Sequence, residues 1–142
     1  MVDYAHTPQA LELMLRNLRP HVKGRLMVVF GCGGDRDPLK RPLMGALAAK
    51  LADAVIVTDD NPRSEDPAAI RRQVISGAQG SLVRECAPRE AAIEMAVREL
   101  GPSDVLLIAG KGHEKVQVTR EGSNPFDDAA VASRVFQRRH AG

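Results

Sequence analysis

The chain has 142 residues, 44% of them hydrophobic and 27% charged, which is the size and make-up of one soluble globular domain. Twenty Lys and Arg against eighteen Asp and Glu leave a net charge of +2, too even a balance for nucleic-acid or membrane-surface attraction. With 3% aromatic residues there are few platforms for stacking single strands, and no apolar run approaches the ~18 residues of a membrane span.

Thr7 and Pro8 read as the cap and first turn of a helix with the apolar stripe Leu11, Met14, Leu15 and Leu18, stopped at Pro20. Residues 26–30 are apolar and partly β-branched and predict a strand buried on both faces, followed at once by Gly31-Cys32-Gly33-Gly34-Asp35-Arg36-Asp37. A second helix is predicted over about 42–52, with Leu43, Leu47 and Leu51 facing inward. A strand at 54–58 leads into the loop 59–65, after which Asp66 caps and Pro67 opens a third helix with Ile70 and Val74 on its buried face. Residues 81–85 predict a short strand, and Pro88 opens a fourth helix through Ile93, Ala96, Val97 and Leu100, stopped by Gly101-Pro102. Residues 105–108 form a strongly apolar strand ending in Ala109-Gly110-Lys111-Gly112-His113-Glu114. A further strand is predicted at 116–119, a turn at 121–124, and a last helix capped by Asp127 or Asp128 and carrying Val131, Val135 and Phe136. The basic tail 137–142 suits the end of a helix. Met14, Met44 and Met95 read as core fillers, and Glu65-Asp66 as a solvated face. Strands alternating with helical stretches make an α/β fold with a mostly parallel sheet flanked by helices, in one domain over 1–142.

In such sheets ligands sit beyond the carboxyl ends of the strands. The three clearest strands each end in a polar loop, so a parallel sheet brings Arg36, Asp60, Asn61, Arg63 and Glu114 to one edge. The glycines of 31–34 allow backbone amides to face an anion, and Arg36 can clamp a carboxylate. The loop is not G-x-G-x-x-G, because Arg36 stands at the last position, and no Gly-Lys-Ser/Thr makes it a Walker A loop. Taken alone it also fits a tight strand-to-helix turn, with Arg36 paired to Asp35 or Asp37. In Asp60-Asn61-Pro62-Arg63, the proline is expected to hold Asn61 extended. Asn61 offers a donor and an acceptor, Asp60 a charge for an ammonium, Arg63 a fork for a carboxylate, a set that suits a zwitterionic amino acid. The same residues also serve as a plain helix-start turn. Glu114 can meet a cationic amine. His113 reads as a loop histidine, with no cysteine or second histidine at ligand spacing, so no metal site is expected. Asp3 and His6 precede a helix N-terminus, a place to meet a ribose hydroxyl or phosphate, or else belong to a fraying end. Cys32 and Cys86 form neither a disulfide framework nor a metal-ligand spacing, and residues 1–7 lack the features of a signal peptide, so a reducing cytoplasm is expected.

The loops occur in an ordered series: Val2-Asp3-Tyr4-Ala5-His6-Thr7-Pro8, Phe30-Gly31-Cys32-Gly33-Gly34-Asp35-Arg36-Asp37, Lys40-Arg41-Pro42-Leu43-Met44-Gly45, Thr58-Asp59-Asp60-Asn61-Pro62-Arg63 and Ala109-Gly110-Lys111-Gly112-His113-Glu114. From Val2 to about Phe136 this series resembles the C-terminal domain of the Mur ligases, and among them those that add meso-diaminopimelate. The quartet 60–63 carries the diaminopimelate reading, since relatives that add lysine have another residue in place of Arg63. The resemblance implies a Rossmann-like lid of an ATP-dependent amide ligase of peptidoglycan synthesis. In such ligases ATP converts the D-glutamate carboxylate of a UDP-N-acetylmuramoyl-dipeptide into an acyl phosphate, which the amine of the incoming amino acid attacks. It also implies that Arg36, Asp60, Asn61, Arg63, Gly110 and Glu114 bind meso-diaminopimelate. Arg36 and Arg63 would hold its distal carboxylate, and Glu114 or Asp60 an ammonium. Asp3 and His6 would approach the nucleotide when the lid closes.

The family's P-loop lysine, Mg²⁺ ligands and carbamylated lysine belong to a central ATPase domain, and a further domain binds the UDP-sugar. No lysine here stands in a Gly-Lys-Ser/Thr setting. The chain is therefore expected to be an excised or truncated C-terminal domain, inactive alone and without catalytic residues of its own, with ATP and Mg²⁺ bound mainly by the missing central domain. The pattern departs at Ala87-Pro88-Arg89, where the family has Asp-Arg before the helix, and only a packing consequence is expected. Two other readings compete: a free-standing α/β module that binds a dicarboxylic amino acid or a nucleotide without catalysis, and a self-sufficient Rossmann-type enzyme. The second is opposed by the absence of G-x-G-x-x-G and of an acidic ribose-binding residue at the usual offset.

Overall fold

Alternate residues of one apolar strand can serve two cores only if both faces of the sheet are covered, and the central strands of this protein do so. The computed structural model describes residues 2–3, 7–34, 37–78, 82–109, 116–119 and 122–125. Its elements are β1 (Val2–Asp3), α1 (Pro8–Leu18), β2 (Leu26–Phe30), α2 (Lys40–Leu51), β3 (Ala54–Val57), α3 (Pro67–Gly77), β4 (Leu82–Glu85), α4 (Arg89–Glu99), β5 (Val105–Ala109), β6 (Val116–Thr119) and β7 (Gly122–Pro125). Strands β1 to β5 form one sheet in the order β1-β5-β2-β3-β4, with every pair parallel. β6 and β7 pair as an antiparallel hairpin. The α/β architecture expected from the alternation is the one observed.

Val28, Phe30, Val55, Val57 and Leu107 point to one side, where they meet Leu11 and Leu15 of α1, Met44 and Ala48 of α2 and Val74 of α3. Met27, Val29, Ile56, Leu106 and Ile108 point to the other and meet Ala92, Ile93, Ala96 and Val97 of α4. The helix starts follow their caps. Thr7 accepts from the Ala10 amide at 3.1 Å and Asp66 from the Ala68 amide at 3.1 Å, each with a proline in the first turn. Pro20 sits in a short 3-10 turn, Arg19–His21, that ends α1.

The inward face of α2 differs from expectation at Leu43, while Leu51 packs against the core as expected. The helix begins at Lys40 and buries Arg41, Met44, Gly45, Ala48 and Ala49, whereas Leu43 is 57% exposed. The reason is the approach of α3. A methyl carbon built on Gly45 would overlap the Val74 carbonyl, and one on Gly77 would overlap the Pro42 carbonyl. Helices this close accept only small residues between them, and the leucine turns outward.

The topology also selects an edge. From β2 the chain moves outward through β3 to β4, then returns across the other face by α4 to β5, on the far side of β2. The reversal lies at the carboxyl ends of β2 and β5, the place where an open α/β sheet leaves a crevice. The last helix predicted from Asp127 or Asp128 and the basic tail lie outside the described residues. Among the described residues no helix is long and apolar enough to cross a membrane.

Candidate functional site

Two loops leave adjacent strands at this edge and interlock. The Gly34 amide donates to the Asn61 carbonyl at 2.9 Å. Nη1 of Arg63 donates to the Gly34 carbonyl at 3.0 Å and to the Asn61 carbonyl at 3.3 Å. A methyl carbon on Gly34 would overlap the Pro62 carbonyl, so the close approach itself requires glycine.

The quartet is folded more tightly than its proline suggests. Asn61 has φ of +31° and Arg63 of +51°, so Asn61 is not held in the extended backbone expected before Pro62. Asparagine tolerates the left-handed region through its short polar side chain; for arginine the conformation is a strain that surrounding contacts must hold. Its effect is to fold residues 60–63 back over Gly34. Asp60 and Asn61 are 6% and 7% exposed. The negative charge of Asp60 acts on Cys32, whose thiol is pushed up to about 12, chiefly by burial and then by that carboxylate. Cys32 is therefore protonated at neutral pH, and its Sγ lies 3.6 Å from the Met44 sulfur.

Three arginines brace the loops from behind. Arg41 of α2, 1% exposed, donates to both Glu65 oxygens at 3.0 and 2.7 Å, to Gln73 Oε1 at 2.9 Å and to the Gly33 carbonyl at 3.1 Å. Glu65 thus leaves the solvated face expected of it; a guanidinium buried on α2 needs a charged partner, and this loop carries it. Arg71 of α3 pairs with the Asp59 carboxylate and with Glu85 Oε2 at 2.6 Å. Burial raises the Asp59 carboxyl above its ordinary range, against the pull of Arg71. Arg89 of α4 donates to the carbonyls of Asp59 at 3.3 Å and Ala109 at 3.1 Å. Thr58 Oγ1 donates to the Ala87 carbonyl at 3.1 Å.

Of the residues expected to bind ligand, the structure brings together Asp60, Asn61 and Arg63. Arg36, Gly110, Glu114 and His6 lie outside the described residues. The backbone of Asp3 pairs with Ala109 at the end of β5, on the same edge. Arg41, Arg71 and Arg89 were not singled out as site residues, because an arginine in a helix sequence looks like a solvated face. The signal for Arg41 was its place in the series 40–45, and for Arg89 the departure at 87–89. Among the described residues no three His, Cys, Asp or Glu side chains are grouped to hold a metal ion.

This arrangement can hold a small zwitterion. It offers a buried carboxylate, an amide with both donor and acceptor, and a guanidinium fixed by its own backbone bonds. Residues 1–112 match the family described as Mur ligase, glutamate ligase domain. The chain is 58% identical over 129 residues to the UDP-N-acetylmuramoyl-L-alanyl-D-glutamate–2,6-diaminopimelate ligase of Caulobacter vibrioides, covering 91% of this chain and 26% of that protein. It is 56% identical over 139 residues to the ligase of the same name from Bradyrhizobium diazoefficiens, covering 94% and 28%. A solved structure of a ligase of that name superposes with a TM-score of 0.93 at 42% identity, over 98% of this chain and 29% of that one. Escherichia coli FolC in complex with ADP shares the fold, with a TM-score of 0.61 at 19% identity over 99% and 30%. The chain thus spans between a quarter and a third of the length of these relatives.

Proposed function

Since the chain belongs to the Mur ligase family, as its C-terminal domain, we propose that it supplies the amino-acid pocket of an ATP-dependent ligase. That ligase adds meso-diaminopimelate to UDP-N-acetylmuramoyl-L-alanyl-D-glutamate in cytoplasmic peptidoglycan synthesis. The observation that carries the reading is the interlock of Arg63 with Gly34 over a buried Asp60 and Asn61. Nη1 of Arg63 is planted on the Gly34 and Asn61 carbonyls, and on this reading its guanidinium meets a carboxylate.

Diaminopimelate differs from lysine by one distal carboxylate. A half-buried guanidinium aimed at that carboxylate is left without it when lysine binds, which makes lysine the poorer ligand. Arg36 joins Arg63 on the distal carboxylate, Asp60 or Glu114 takes an ammonium, and Asn61 and Gly110 complete the contacts. Asp3 and His6 are assigned to the nucleotide. The sequence has no Gly-Lys-Ser/Thr to cradle phosphates, and among the described residues no His, Cys, Asp or Glu set is grouped for a metal. The phosphates and the metal are therefore assigned to the remainder of the ligase, and the part played here is to bind and orient the amino acid.

Calorimetric titration of the chain with meso-diaminopimelate, and separately with lysine, tests the reading. The expected result is saturable binding of the first, tighter than that of lysine by on the order of 10²-fold. Equal affinity for the two would overturn it. The chain alone is expected to hydrolyse ATP no faster than buffer, and clear turnover would speak for a self-sufficient enzyme.

A further inference from the structure

Arg89 is the first residue of α4 and is 1% exposed. Its placement is unfavourable on two counts, since a buried guanidinium loses its hydration and a cation at a helix N-terminus opposes the helix dipole. An apolar side chain would fill the same volume without either cost. The guanidinium instead spans two backbone carbonyls. Nη1 donates to Asp59, just beyond β3, and Nη2 to Ala109, the last residue of β5. These strands lie on opposite sides of β2 and are each laddered to it, as far as Val57 and Ile108, but not to each other, so past those pairs no sheet hydrogen bond joins the two stems directly. The next residues in sequence are Asp60 and Gly110, both assigned above to the amino acid. Arg71 holds Asp59 independently through its carboxylate, which leaves the carbonyl side to Arg89.

We propose that Arg89 is a positioning residue: its two-pronged hydrogen bond fixes the separation of the loop stems at Asp59 and Ala109, and with it the width of the amino-acid pocket. The inference rests on the meso-diaminopimelate reading of that pocket. Arg89 acts through main-chain carbonyls and touches no substrate. A planar fork holds the two carbonyls apart at the spacing of Nη1 and Nη2, whereas the three donors of a lysine ammonium leave a single nitrogen and draw both carbonyls toward one point.

The test compares the 142-residue chain with its Arg89→Lys and Arg89→Met variants, each kept well below its own melting temperature. Amide spectra are recorded without ligand, followed by titration with meso-diaminopimelate. In both variants the amides of Asp60 and Gly110 are expected to shift together while those of α2 stay in place. Affinity for meso-diaminopimelate is expected to fall roughly ten-fold or more, as for other misplaced binding groups. Arg89→Lys keeps the charge and restores folding if Arg89→Met fails to fold, but it does not restore affinity. A residue that merely stabilises the fold would lower the melting temperature and leave the affinity of the folded protein unchanged, and that outcome for Arg89→Lys would overturn the proposal. If the unaltered chain binds no meso-diaminopimelate, the ligand reading falls instead. The link made by Arg89 is then judged on the amides alone: joint shifts uphold it, and shifts at one stem or neither overturn it.

Discussion

The guanidinium of Arg63 lies 3.0 Å from the carbonyl oxygen of Gly34, 29 residues away in sequence. One side chain therefore closes the β3 loop onto the β2 loop and presents its charge where they meet. Replacing Arg63 with Ala removes the clasp and, on the function proposed above, a charge-assisted contact to the ligand. The expected loss of meso-diaminopimelate affinity is about 1.5–3 kcal/mol, or roughly 10- to 150-fold. Arg63→Lys should recover little of it, because a single flexible ammonium lacks the rigid fork that holds the carbonyls on one side and meets a carboxylate on the other. Calorimetry on both variants checks this, with lysine as a ligand that should be hardly affected.

Gly34→Ala forces a methyl group into the Pro62 carbonyl. The loops must part, and the expected cost is about 1–3 kcal/mol of stability together with weakened ligand binding. Gly101→Ala is the control. A methyl group there meets the Asp104 carboxyl at ordinary contact distance, 3.4 Å to Oδ2 and 3.8 Å to Cγ, so its effect should stay within about 0.5 kcal/mol. Urea unfolding of the two variants gives the comparison.

Glu65→Ala leaves the buried guanidinium of Arg41, among the described residues, with the Gln73 and Gly33 oxygens and no carboxylate. Breaking a fully buried pair costs about 3–5 kcal/mol, but the Glu65 side chain is one-third exposed, so about 2 kcal/mol is expected. Changing both partners, Arg41→Met with Glu65→Leu, should be less harmful than Glu65→Ala alone. A double-mutant cycle in urea measures the coupling.

Asp53 accepts from Arg19 at 2.7 and 2.9 Å and from the Leu26 amide at 2.8 Å, and these bonds lower its carboxyl to about 2. A folded-state value below the unfolded one stabilises the protein above the unfolded value of about 3.9. That contribution is lost as pH falls through about 2. Between those limits the melting temperature of the protein should fall more steeply with acid than that of Asp53→Asn, and at neutral pH the variant should be the less stable. Thermal melts across the acid range test both halves.

Much of the fold was legible because local rules govern it. Thr7-Pro8 and Asp66-Pro67 carry their caps beside them, and residues 26–30 are apolar at every position because both faces of β2 are covered. The inward face of α2 was misread because Leu43 is turned out by the closeness of α3, a fact written at Gly45 and Gly77 rather than at the leucine. Asn61 was misread for a related reason. The proline rule describes a free chain, whereas here Gly34 and Arg63 hold the backbone folded. Arg41 and Arg89 gave no hydropathy signal, since what buries them is carbonyl and carboxylate oxygen supplied from distant segments.

By itself the order of residues determined the alternation of strands and helices, the caps, and which polar groups end each strand, because these depend on neighbours within a few positions. Tertiary structure alone decided which arginines are sealed inside and how Gly34 and Asn61 meet, because both depend on distances across the sheet. No spacing along a chain encodes such a distance until the strands have paired.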